Sequence, residues 1–138
     1  MLIAISSFCL FHTPLLSAAP PPISEAEAIY TAVERWRSAW QQLNIKKYIA
    51  TYSHNYSPSP DTNHDDWIKE RQQRFESQQW VKLKLSGIVI FINDDDRYVA
   101  NFTQHYQSDS FSEISRKQLL FEEHIDGWLI ISETELEN

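Results

Sequence analysis

The chain has 138 residues, a formal net charge of −7 and only two glycines. That length suits one domain, and two glycines exclude the Walker and dinucleotide phosphate cradles, which need several at fixed spacing. The acidic balance argues against nucleic acid or an anionic membrane surface as a partner. With 42% apolar and 13% aromatic residues, the chain is too rich in core formers to be disordered.

Residues 1–22 hold no Asp, Glu, Lys or Arg. Leu2 to Leu16 is an apolar stretch broken by Ser6, Ser7, His12, Thr13 and Pro14, and Ser17-Ala18-Ala19 and Pro20-Pro21-Pro22 follow it. A short apolar core ending in small residues reads as a secretory signal peptide, too short to cross a bilayer as a helix. An uncleaved membrane tether over residues 2–16 is the alternative. The expectation is therefore an exported, periplasmic protein, with segment 1–22 set apart from a domain over 23–138. Cys9, the only cysteine, lies in the first segment. The remainder has no thiol, which excludes a cysteine nucleophile, a disulfide scaffold and cysteine-ligated zinc.

Ser24 followed by Glu27 is a capping box. Apolar residues then recur at Ala26, Ile29, Val33, Trp36, Trp40 and Leu43, which predicts a helix of about twenty residues with one buried stripe. Asn44 caps a second, shorter helix through Ile45, Tyr48, Ile49 and Tyr52. Ser53 to Asn63 has loop composition. A third helix is expected from about Asp65 to Gln78, with Trp67, Ile68, Arg71 and Phe75 on one side.

The period then changes to two. Trp80 to Ile92 reads as a strand with a bulge or bend at Gly87. Arg97 to Ser108 is a second strand after the Asn93 to Asp96 turn, and Ser112 to Ile125 a third. Asp126-Gly127 is a hairpin signal leading into a fourth strand, Trp128 to Thr134. Three helices followed by an antiparallel meander give an α+β fold with the helices on one face of the sheet.

Several pieces of this pattern carry a resemblance. They are Trp36-x-x-x-Trp40, Tyr48-x-x-x-Tyr52 with Tyr56, Trp67-x-x-x-Arg71-x-x-Arg74, and Ala100-x-Phe102-x-Gln104-x-Tyr106-x-Ser108. Lys117-x-Leu119 and Gly127-Trp128-x-Ile130-x-x-Glu133 complete the set. Together, over residues 24–135, they resemble the nuclear transport factor 2-like (SnoaL-like) superfamily. The nearer likeness is to its bacterial envelope branch, associated with L,D-transpeptidase-type cell-wall proteins. The resemblance implies a cone, in which three N-terminal helices pack on a strongly bent four-stranded antiparallel sheet with a pocket at the open end. Some members use that pocket as an enzyme site and others only bind ligands or partners. The transpeptidase activity is not carried over, because residues 24–135 hold neither a transpeptidase segment nor a cysteine.

Strand alternation puts Tyr98, Ala100, Phe102, Gln104 and Tyr106 on one face. Lys117, Leu119, Phe121 and Glu123 share another, as do Leu129, Ile131 and Glu133. If these faces are concave, Gln104, Tyr106, Lys117 and Glu133 bring polar groups into an apolar cavity, the usual form of a ligand site. The structural alternative makes Lys117 and Glu133 cross-strand ion-pair partners and Gln104 a satisfied core amide. Arg71 either pairs with Glu133 or faces the cavity mouth, where its planar fork would suit a carboxylate or a sugar acid. Trp40, Tyr52 and Tyr56 are candidates for an aromatic rim, or else plain core.

His54, Asp61, His64, Asp65 and Asp66 lack the spacing of a zinc or calcium site and read as a capped, solvated loop. His105 falls on the strand face opposite Gln104. No metal or cofactor is expected. The leading expectation is a non-catalytic exported domain that binds a small molecule, a cell-wall fragment or an envelope protein in the cavity. The alternatives are a small isomerase or dehydratase-type enzyme, with Glu133 and Tyr106 as its only base and donor pair, and a module that forms a homodimer through the sheet face.

Overall fold

A computed structural model describes residues 24–137. The expected signal or tether segment, 1–22, and Cys9 lie outside the described residues.

Helix α1 (Glu25–Gln41) begins as the capping box requires. Ser24 Oγ accepts from the Glu27 amide at 3.2 Å, and Glu27 Oε2 accepts from the Ser24 amide at 2.8 Å. Ile29, Val33 and Trp36 of the expected stripe are buried, and the small Ala32 and Ala39 are buried beside them. The helix has 17 residues rather than about twenty. It ends because Leu43 turns to a left-handed φ of 51°. The Leu43 amide then bonds the Trp40 carbonyl at 2.9 Å and the Asn44 amide bonds the Ala39 carbonyl at 3.0 Å. This pair of bonds makes a Schellman cap in which leucine takes the position glycine usually fills.

Asn44 caps α2 (Ile45–Ile49), its Oδ1 accepting from the Lys47 amide at 3.0 Å. Asn63 caps α3 (His64–Glu76) in the same manner through the Asp66 amide at 2.9 Å, with Asp65 and Asp66 in the first turn to meet the helix dipole. His64 is occupied structurally, its Nδ1 lying 2.7 Å from the Tyr56 carbonyl oxygen.

The strands β1 (Val81–Ile92), β2 (Tyr98–Ser108), β3 (Ser112–His124) and β4 (Gly127–Leu136) form one antiparallel sheet in sequence order. Two irregularities bend it. In β1 the register shifts between Ser86 and Val89, at Gly87 with φ +61°. A side chain added there would meet no atom within 4 Å, so Gly87→Ala tests the backbone alone. It should destabilise the fold by about 1 kcal/mol through left-handed strain, measured by urea unfolding; unchanged stability would mean the bend does not need that conformation.

The second irregularity corrects a sequence expectation. Leu119 pairs with Glu133, but Phe121 pairs with Ile130, so β4 carries one extra residue around Ile131. The bulge reverses the alternation. Ile130 is fully buried against the core with Glu133 on the same side, whereas Leu129 and Ile131 turn to a surface depression that they share with His54 and His124. Leu129, Ile131 and Glu133 therefore do not share one face. The bulge sits where β4 meets the chain after α2. The Ser53 amide donates to the Ile130 carbonyl at 2.8 Å, and the Ile130 amide donates to the Thr51 carbonyl at 2.9 Å.

The core lies between α1 and the concave face of the sheet. Trp36, fully buried, packs on Trp40 and Phe102 with ring centroids 5.4 and 5.8 Å away. Burying large aromatics supplies much of the area term that holds a small domain together. This architecture is the α+β cone.

Candidate ligand-binding site

Near the open end of the cone, α1, α3, β2, β3 and β4 enclose a cavity of about 200 Å³. Helix α1 contributes Trp40, and α3 contributes Arg71, Arg74 and Phe75. The sheet contributes Gln104 and Tyr106 from β2, Lys117 from β3 and Glu133 from β4. Phe111 and Glu113 line it on the sheet side, and Gln78, just after α3, completes the lining. Six of the eight residues that strand and helix spacing singled out are thus brought together: Trp40, Arg71, Gln104, Tyr106, Lys117 and Glu133.

Tyr52 and Tyr56 are not among the lining residues. They are 1% and 4% exposed and pack on Trp67, with ring centroids 4.8 and 4.7 Å away. The turn after α2 carries Tyr52 to a bridge with Ile130 of β4 and puts both tyrosines in the core rather than on a rim. Arg74, Phe75, Gln78, Phe111 and Glu113 were not singled out as site residues. Arg74 and Phe75 were within reach, being three and four residues beyond Arg71 and so on the same helix side. Phe111 sits at the β2–β3 turn, where spacing gives no face, whereas Glu113 was within reach, lying in β3 on the same alternation as Lys117.

The polar floor is built around Arg71 and Glu133, which pair at 3.8 Å with side chains 18% and 9% exposed. Lys117 pairs with Glu135 at 3.7 Å instead of with Glu133. The register explains this, since Lys117 lies opposite Glu135 and Glu133 lies opposite Leu119. Arg74 forms no ion pair among the described residues.

Behind this pair lies a hydroxyl network. Trp36 Nε1 donates to the Tyr52 hydroxyl at 2.8 Å, and the Tyr48 and Tyr52 hydroxyls are 2.7 Å apart. Burial, with Glu133 adding to it, pushes Tyr48 and Tyr52 well above the ordinary tyrosine range. The same two causes raise Tyr56 to about 12. Burial acts against the charge on Arg71, but Tyr48, Tyr52, Glu133 and Tyr56 outweigh it and leave the guanidinium above its usual value. The cavity floor is therefore the Arg71–Glu133 ion pair backed by buried phenols.

Gln104 is 2% exposed, and its Oε1 is buried with no hydrogen-bond partner among the described residues. It is not the satisfied core amide of the structural alternative. An acceptor left this way costs about 1–3 kcal/mol.

A larger groove of about 380 Å³ runs along the outside of α1, lined by Ala32, Arg35, Ala39, Ala50 and Trp128 among others. No buried polar atom without a partner belongs to its lining. His54 and His124 flank Asp126 at 3.8 and 3.5 Å, all three well exposed. Among the described residues, no group of three or more His, Cys, Asp or Glu is arranged to hold a metal. His105 lies outside the cavity, 3.4 Å from Ser86 Oγ.

The fold is shared with several solved proteins. Bd1075 of Bdellovibrio bacteriovorus matches at 24% identity and a TM-score of 0.70, over 80% of this chain and 39% of its own. The helical cell shape determining protein Pgp2 of Campylobacter jejuni matches at 17% identity and a TM-score of 0.64, over 78% of this chain and 41% of its own. An NTF2-like family protein of Streptomyces avermitilis is covered completely, at 11% identity and a TM-score of 0.71. At these identities the likeness is one of fold, and the chain spans only about two fifths of Bd1075 and Pgp2. No curated protein matches the sequence. Residues 28–134 match the family model of the Cds6 C-terminal NTF2-like domain, and the chain belongs to that family.

Proposed function

We propose that this protein is an exported, non-catalytic binding domain that takes a cell-wall fragment into the cone cavity. The observation that carries the reading is Gln104: a buried amide with a free acceptor, in a cavity where Arg71, Arg74 and Lys117 also converge. Polar groups convergent in a partly aromatic cavity are what a ligand site requires. Two further points support the envelope assignment. Residues 1–22 have the charge-free, apolar character of an export signal, and the same fold forms part of the cell shape determining protein Pgp2.

Binding is favoured over isomerase or dehydratase-type catalysis by the position of Glu133. A general base has to be within hydrogen-bond reach of the proton it takes. The Glu133 carboxylate is instead engaged by the Arg71 guanidinium at 3.8 Å.

Retention on purified peptidoglycan tests the proposal. Wild-type protein should be retained, and Gln104→Ala and Lys117→Ala should each reduce retention about tenfold, the effect of one lost hydrogen bond to a buried or charged group. If all three are retained alike, or none is, the cavity is not a cell-wall binding site.

A further inference from the structure

Strand β1 is an edge of the sheet, paired with β2 on one side alone. An unpaired edge presents backbone N–H and C=O groups that template another strand. Helix α1 blunts the first half of this edge. Gln41 Oε1 accepts from the Leu83 amide at 3.0 Å, and Arg37 Nη1 donates to the Leu83 carbonyl at 3.3 Å. The second half carries no such cover. The Asn93 amide donates to the Arg97 carbonyl across the hairpin at 2.9 Å. Alternation from that bond turns the backbone groups of Phe91 and Val89 toward β2 and those of Ile90 and Ile92 away from it. The outward amides and carbonyls of Ile90 and Ile92 have no partner among the described residues. Leu85 to Asn93 contains no charged residue, and Val89 and Ile92 are 58% and 53% exposed.

The charges that bracket this run point to its occupant. Lys82 and Lys84 precede it, and Asp94, Asp95 and Asp96 follow it. None of the five forms an ion pair among the described residues, while Arg97, next in sequence, is taken by Glu122 at 3.3 Å. A second β1 laid antiparallel sets each basic end against the other's acidic turn, whereas a parallel one sets like against like. We propose that two copies of this chain pair antiparallel along β1 about Ile90, joining two four-stranded sheets edge to edge. The arrangement is two-fold symmetric, so every backbone and charge contact is made twice. It uses the edge of the sheet rather than its face, and it does not depend on what the cavity binds.

Sedimentation equilibrium of the full chain over a concentration series, read together with amide hydrogen exchange, tests the pairing. A monomer–dimer equilibrium is expected. The Ile90 and Ile92 amides should exchange more slowly as the dimer fills, with those of Val89 and Phe91, bonded within the sheet, protected in both states. Ile92→Pro removes an outward N–H without touching the β1–β2 ladder. It should weaken the dimer about tenfold or more and leave the circular dichroism unchanged. Lys84→Asp should also weaken the dimer, and adding Asp94→Lys should restore it. A monomer at every concentration, or a dimer indifferent to Ile92→Pro, would overturn the proposal. So would Ile90 and Ile92 amides that exchange equally fast in monomer and dimer, or a charge swap that fails to rescue.

Discussion

Titrated upward from neutral pH, the protein should unfold cooperatively between about pH 10 and pH 12, with Tyr48, Tyr52 and Tyr56 still protonated until it does. All three have pKa values raised in the folded state above the ordinary 10.0. A group raised in this way favours the folded state fully below its unfolded pKa. That contribution is lost as the pH rises from the unfolded value toward the folded one, because the unfolded chain releases the proton first. Each such tyrosine removes about 1.4 kcal/mol per pH unit across that window. Three together remove about 4 kcal/mol per unit, against the usual total of about 5–15 kcal/mol for a domain. Absorbance at a phenolate wavelength and far-ultraviolet circular dichroism should therefore change together. Tyr56→Phe, which keeps the ring, should reduce the slope by about a third. Gradual ionisation of all six tyrosines before any loss of helix signal would contradict the buried hydroxyl network.

The second large effect is expected at the cavity floor. Arg71→Met leaves Glu133 with a side chain only 9% exposed and no partner cation, and Glu133→Leu leaves Arg71 in the same position. Breaking a buried pair from one side costs about 3–5 kcal/mol. The residual exposure of Arg71, 18%, puts each single variant near the lower end, at about 3 kcal/mol. The double variant should be much closer to wild type, because replacing both charges with apolar groups removes the uncompensated one along with its partner. A denaturation cycle over the four proteins measures the coupling. Singles that each cost about 1 kcal/mol or less would mean that the pair behaves as a solvated surface bridge.

The parts of this fold that were legible in the sequence are those set by local chemistry. Ser24 and Asn44 announce helix starts because a side-chain oxygen three residues ahead of an orphan amide satisfies it wherever the helix later packs. Gly87 and the Asp126-Gly127 pair mark a bend and a turn because both glycines adopt positive φ, at 61° and 105°. Alternation along β2 and β3 also sufficed to bring Gln104, Tyr106 and Lys117 to one cavity.

What was not legible depends on contacts distant in sequence. The bulge in β4 contains no glycine or proline; it lies where Ile130 bonds Thr51 and Ser53, nearly eighty residues away. Reading β4 without it put Leu129 and Ile131 on the wrong side. Lys117 pairs with Glu135 because of register, and alternation alone cannot distinguish Glu133 from Glu135. Tyr52 and Tyr56 show the same limit. An aromatic four residues from another marks a helical side, but whether that side meets solvent or a second layer is decided by the turn after α2.

Cavity binding is tested most directly by the five tryptophan indole resonances of labelled protein, titrated with soluble peptidoglycan fragments. Trp40 lines the cavity and Trp128 lines the groove along α1, while Trp80 is exposed outside both. The Trp40 indole should move in a saturable manner, with Trp80 and Trp128 unmoved. Movement of Trp128 without Trp40, or no movement at saturating fragment, would contradict it.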